Sequence, residues 1–155
     1  MVPASHDNDP AVLTALMRAS TPLVDTLGVE VLECERRVRL RLPNLEGSRN
    51  HVGGPHAGAI FTLGETTAAA LMLLRVGHLL DRAKPLAVRA EIGWSKLARC
   101  AVIAETVTDI DAAWIERELQ AGGRPEWTTT VRFEREDDGA ACGEMSVMLT
   151  LVHLR

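Results

Sequence analysis

The run from Ala57 to Leu74 constrains the fold of this chain more than any other segment. It is apolar throughout except for Glu65, and it carries Gly58, Gly64, Thr62, Thr66 and Thr67. At helical spacing its apolar side chains fall on nearly every side, so a helix from about His56 to Arg75 has no face to give to water. A carboxylate, two glycines and three threonines within that run suit a buried helix better than a membrane span. Such a helix must be wrapped by other elements.

Strands are the elements available to wrap it. Asp9-Pro10 reads as a helix start, with Asp9 at the cap and Pro10 in the first turn. Val12, Leu13, Leu16 and Met17 give this short helix an apolar face, and Thr21-Pro22 closes it. From Gly28 the period becomes two. Val38, Leu40 and Leu42 alternate with Arg37, Arg39 and Arg41, and Pro43 ends the run. Residues 43–55 read as a loop. After the helix, Lys84-Pro85 is expected to break the chain. Leu86, Val88, Ala90, Ile92 and Trp94 are then expected to share one strand face. A strand over 101–110, a short amphipathic helix over 111–120, and strands over 128–136 and 144–153 follow. The expected fold class is α+β, a curved antiparallel sheet around a long central helix. Residues 1–20 read as a flexible N-terminus and short helix, and 21–155 as a single domain.

Composition narrows the function. The chain has 155 residues and a net charge of -4, which argues against a nucleic-acid partner. Cys34, Cys100 and Cys142 are scattered and odd in number, which favours small buried fillers in a reducing compartment. No basic-then-apolar leader opens the sequence. The expectation is a cytoplasmic protein with no membrane partner.

Three polar residues around the start of the apolar helix carry the chemistry: Asn50, His56 and Glu65. A carboxylate within an apolar helix needs a partner or a purpose. His56 and Glu65 are nine residues apart. On one helix they point in opposite directions, roughly 13 Å apart along the axis. A site using both requires two subunits, with Glu65 from one and Asn50 and His56 from the other, as a twofold dimer would provide. Gly53-Gly54-Pro55 lets the backbone turn into the helix. The first helical amides, at Ala57 and Gly58, lack intrahelical acceptors and sit where a developing oxyanion would be stabilised. His51 and His56 lack a third ligand at metal spacing, so no metal is expected. Ser48 and Ser95 lie in no nucleophile motif. Trp94, Trp114 and Trp127 read as packing residues.

The stretch HAGAIFTLGE, with Asn50 before it, resembles the helix-opening motif of hotdog-fold thioesterases of the PaaI-like type. Asn50, His56 and Glu65 fall at the matching positions. Ala57 stands where that group usually has glycine, and Glu65 where it usually has aspartate, as in a His-Ala-Gly branch of the superfamily. The resemblance implies a hotdog domain over 21–155 that hydrolyses acyl-CoA thioesters as a dimer or dimer of dimers. Coenzyme A is then part of the substrate, and no separate cofactor is implied. Asn50, His56, Ala57 and Glu65 would be catalytic, and Gly58 would contact substrate. Glu65 would act as general base or as nucleophile. A non-catalytic acyl-CoA binding module and a hydratase or dehydratase acting on acyl thioesters are the competing readings. The phosphates of coenzyme A need local cations in so acidic a chain. Lys96 and Arg99, at a strand end, are the expected ones, and Arg37, Arg39 and Arg41 form a rival stripe.

Overall fold

The computed structural model describes residues 9–154. The flexible segment expected over residues 1–8 lies outside them. Helix α1 spans Pro10–Ser20, with the Asp9 carboxylate accepting the Ala11 amide at 2.8 Å. Pro22 does not merely close α1. It opens a second short helix, α2 (Pro22–Thr26), where its missing N–H costs nothing. Leu13 and Met17 of α1 and Val24 of α2 are buried in the main core.

Helix α3 spans Ala57–Val76. Six strands surround it: β1 (Glu30–Cys34), β2 (Val38–Leu42), β3 (Ala83–Trp94), β4 (Val102–Thr106), β5 (Glu126–Arg135) and β6 (Ala141–His153). They form one sheet in the order β1-β2-β4-β5-β6-β3, and every neighbouring pair is antiparallel. Helix α4 (Ala112–Gln120) joins β4 to β5. Phe133, Leu40, Leu42, Leu63, Leu71 and Met145 are fully buried between helix and sheet. Gly64 marks the closest approach. A Cβ there would lie 2.4 Å from the Met145 sulfur and 2.7 Å from the Phe133 ring. This is the hotdog fold, α+β, with the long helix wrapped by the curved sheet.

Three expectations need correction. Lys84-Pro85 does not break the chain, because β3 runs through it. Strand β3 pairs only with β6, so Pro85 sits on an edge strand, where a missing donor is tolerated. The residues from Leu86 to Trp94 do not share one face. A bulge between Ala87 and Arg89 shifts the register, so Ala90 and Ile92 oppose Val147 and Met145 while Leu86 opposes Thr150. Ala90 and Ile92 accordingly pack on the core, and Leu86 is 50% exposed. The strand expected over 101–110 ends at Thr106, and the chain from Val107 onward is a loop leading to α4.

Helix α3 with the turn after it, Ala57–Leu79, has the length and apolarity of a membrane span. More than half of its most apolar window is buried inside the fold.

Candidate active site at the start of the central helix

The loop before α3 is organised by Asn50. Its Oδ1 accepts the amides of Val52 and Gly54, each at 3.1 Å, and its Nδ2 donates to the Pro55 carbonyl at 3.3 Å. The Asn50 amide donates to the Gly54 carbonyl at 2.8 Å. The side chain is therefore engaged on its own loop and shapes the wall of the site.

His56 is the cap residue of α3. Its Nδ1 accepts the Gly58 amide at 3.0 Å. An accepting Nδ1 places the proton of the neutral imidazole on Nε2, which is free to point outward. Gly58 makes room for this ring, since a Cβ there would lie 3.2 Å from Nδ1. The amides of Ala59 and Ile60 donate to the His56 carbonyl at 2.9 and 3.1 Å. The Gly58 amide is thus taken by the imidazole. Among the described residues, the Ala57 amide alone of the first helical turn has no acceptor. It sits at the positive end of a 20-residue helix.

Ala57 is one of the residues that line a cavity of about 380 Å³. Asn50, Pro55, Ala57 and Ile60 form one wall, and the segment from Trp94 to Ala98 forms the other. Of the residues expected from sequence, Asn50, Ala57 and Lys96 line this cavity together. His56, Gly58, Arg99 and Glu65 are not in its wall. Trp94, expected to be a packing residue, is 51% exposed and faces the cavity rim. Trp114 and Trp127 do pack against the core.

The two walls are held together closely. A Cβ on Gly54 would lie 1.9 Å from the Ala98 carbonyl oxygen, so only glycine fits against this turn. Asn44 clamps the same junction. Its Nδ2 donates to the Gly53 carbonyl at 3.1 Å and to the Arg99 carbonyl at 3.0 Å, and the Arg49 guanidinium donates back to Asn44. Sequence reasoning missed Asn44. Its only signal was an amide side chain directly after Pro43, where a strand gives way to a loop.

Glu65 lies on the opposite side of α3. It is half-buried, and among the described residues its carboxylate makes no ion pair or hydrogen bond. Burial holds its pKa above the ordinary value of 4.5. Within one chain it does not meet His56, as the spacing required.

The rival basic stripe is neutralised. Arg37 pairs with Glu33 and Glu105, Arg39 with Glu105 and Glu134, and Arg41 with Glu30 and Glu136. Lys96 and Arg99 have no ion pair among the described residues. Burial pushes the Cys34 and Cys142 thiols up, which keeps both protonated at neutral pH. No group of three His, Cys, Asp or Glu side chains among the described residues is placed to hold a metal.

A buried helix wrapped by a six-stranded antiparallel sheet defines a hotdog-fold protein. Residues 10–151 match the family described as a domain of unknown function, DUF4442, and the chain belongs to that family. A protein of unknown function and probable thioesterase from Pseudomonas aeruginosa is 25% identical, with a TM-score of 0.80 over 97% of this chain and 100% of that one. A protein of unknown function from Chlorobaculum tepidum superposes with a TM-score of 0.82 at 8% identity, over 97% and 100% of the two chains. A mutant thioesterase from Pseudomonas aeruginosa has a TM-score of 0.74 at 16% identity, over 96% and 97%. Comparison with curated proteins found no match.

Proposed function

We propose that this protein hydrolyses acyl-CoA thioesters at a site shared by two subunits. The observation that carries the reading is the Ala57 amide, the one donor of the first turn of α3 without an acceptor among the described residues, on a residue that lines a cavity of about 380 Å³. A thioester carbonyl directed at this amide would develop its negative charge against the helix start. The thioesterases among the similar structures support this reading, as does the resemblance of the Asn50, His56 and Glu65 spacing to that of the PaaI-like group.

In the proposed assembly a twofold axis brings Glu65 of the partner chain to the Asn50–His56 loop. As general base, Glu65 takes a proton from water, whose oxygen bonds to the carbonyl carbon. The tetrahedral oxyanion rests on the Ala57 amide. Its collapse breaks the carbon–sulfur bond and releases coenzyme A, which takes up the proton. As nucleophile, Glu65 would itself bond to the carbonyl carbon, expel the thiolate, and lose the acyl group to water from an anhydride. The His56 Nε2–H would orient water or substrate. Lys96, in the cavity wall, and Arg99, just beyond it, would hold the phosphates of coenzyme A. Free cysteines suit a reducing, cytoplasmic setting.

Thiol release across a panel of acyl-CoAs tests the reading, with enoyl-CoA hydration measured alongside. Wild type is expected to release thiol, and Glu65→Ala to lose at least about a hundredfold in kcat while remaining folded. Hydration without thiol release would assign a hydratase. Binding without either reaction would leave a binding module. Rapid-quench single turnover with acyl-labelled substrate separates the two roles of Glu65, because only the nucleophilic route puts the acyl group on its carboxylate.

A further inference from the structure

The opposite end of α3 bears a second cavity, of about 300 Å³, where the β1–β2 turn meets the loop after β4. Arg75, in the last turn of α3, ties these two segments together. Its guanidinium donates to the Glu35 and Arg36 carbonyls at 3.4 and 3.0 Å and to the Asp109 carboxylate at 2.9 Å. Arg75 and Ala57 are eighteen residues apart. This cavity therefore lies about 27 Å along the helix from the free amide.

The groups around it divide sharply. Each carboxylate is paired with arginine. Glu105 takes both Arg37 and Arg39, at 2.9 and 3.1 Å, and Asp109 takes Arg75 and the Ile110 amide. Arg132 has Glu105 and Glu144 as cross-strand neighbours, yet it pairs with neither. Among the described residues the guanidinium groups of Arg36 and Arg132 have no hydrogen-bond or ion-pair partner. The two threonines add to this. Thr106 Oγ1 accepts the Val38 amide at 3.0 Å, and Thr108 Oγ1 accepts the Thr130 amide at 2.9 Å. Neither hydroxyl proton has an acceptor among the described residues. Of the charged side chains on the wall of this cavity, Arg36 and Arg132 alone are wholly unpaired among the described residues, and both carry full positive charge, while Asp109 keeps one carboxylate oxygen without a donor.

We propose that this cavity binds a small phosphate-bearing anion, held by Arg36 and Arg132 and supported by the hydroxyls of Thr106 and Thr108. Two planar guanidinium forks and two hydroxyls match an oxyanion with several acceptor oxygens, and Arg suits such recognition better than a point charge does. The phosphate can be free or carried by a nucleotide, and the test separates the two.

The full chain, labelled with ¹⁵N-arginine, is titrated with inorganic phosphate and separately with adenosine monophosphate, at ionic strength fixed with chloride. Saturable shifts of the Arg36 and Arg132 Nε–H resonances are expected. Arg132→Gln and Arg36→Gln should each weaken binding about tenfold or more, as loss of a charge-assisted contact does. Arg41→Gln, a control at a residue already paired with Glu30 and Glu136, should leave affinity unchanged. Tighter binding of the nucleotide assigns the nucleotide source, and equal binding assigns free phosphate. Absence of a saturable shift with either ligand, or wild-type affinity in both Arg36→Gln and Arg132→Gln, overturns the proposal. The readout is binding, so it does not depend on whether thiol release is observed.

Discussion

Glu65 is an acid in an apolar helix, and that much was visible in the sequence. What the structure adds is that no arginine among the described residues pairs with it and that burial raises its pKa above 4.5. The folded state then holds this proton more tightly than the unfolded chain does, so the stability it contributes is full below the normal carboxylate pKa. That stability is lost as pH rises through the raised, folded value. Glu65→Gln removes the titration. Urea melts across pH should therefore show wild type falling behind the glutamine variant as pH climbs above the ordinary carboxylate range, and the opposite slope would mean the carboxylate has a cationic partner. If the carboxylate is the base, kcat/KM should rise with pH through the same raised value. Gly54 is the complementary case. In the sequence it was one of two adjacent glycines that let the backbone turn before a helix, but its true constraint is a carbonyl 44 residues further along the chain, on Ala98. Gly54→Ala places a Cβ 1.9 Å from that oxygen. We expect a loss of about 1–3 kcal/mol in stability, measured by denaturant titration, and an unchanged midpoint would show that the turn moves freely.

At the scale of elements, the central helix and most strands were legible because their periods are regular and local. The break expected at Lys84-Pro85 failed because a proline is incompatible only with a strand flanked on both sides, and nothing local reveals that β3 lies at an edge. The bulge beside Val88 was equally hidden, since an extra residue leaves the alternation of a short segment looking intact. The arginine stripe on β2 was correctly seen as a polar face. Its neutralisation was not, because Glu105, Glu134 and Glu136 come from β4, β5 and the turn after β5, far along the chain. Asn44 shows the same limit for the candidate site. It joins the loop before α3 to the turn after β3 through two carbonyls. Asn44→Ala should widen the junction and raise KM for acyl-CoA about tenfold while kcat stays within about twofold, the pattern of lost substrate positioning. Steady-state kinetics would check this, and equal losses in kcat and kcat/KM would place Asn44 nearer the chemistry.

At the scale of the whole molecule, β3 leaves one long flank of the sheet without a partner, with Leu86 50% and Val88 43% exposed. Exposed edges of this kind invite pairing with another chain. Our proposal of a twofold assembly rests on the opposed placement of His56 and Glu65, and we expect that assembly to pair this edge with another chain. Val88→Lys should shift wild-type dimers or tetramers toward monomers in sedimentation, and thiol release should fall in parallel. Monomeric wild type at micromolar concentration would remove the basis for a shared site.

The sheet order has a consequence for how the chain is made. Strand β6 (Ala141–His153) lies between β5 and β3, so the strand nearest the C-terminus is the one that joins β3 to the rest of the sheet. During synthesis the central helix is complete long before that strand exists. Until then a segment with the hydropathy of a membrane span has only part of its covering. The nascent chain therefore passes through a stage in which holdase chaperones have a natural client, and the interval is set by translation of the second half of the protein. Slowing the ribosome between α3 and β6 would lengthen that exposure, while a stop codon before β6 would make it permanent.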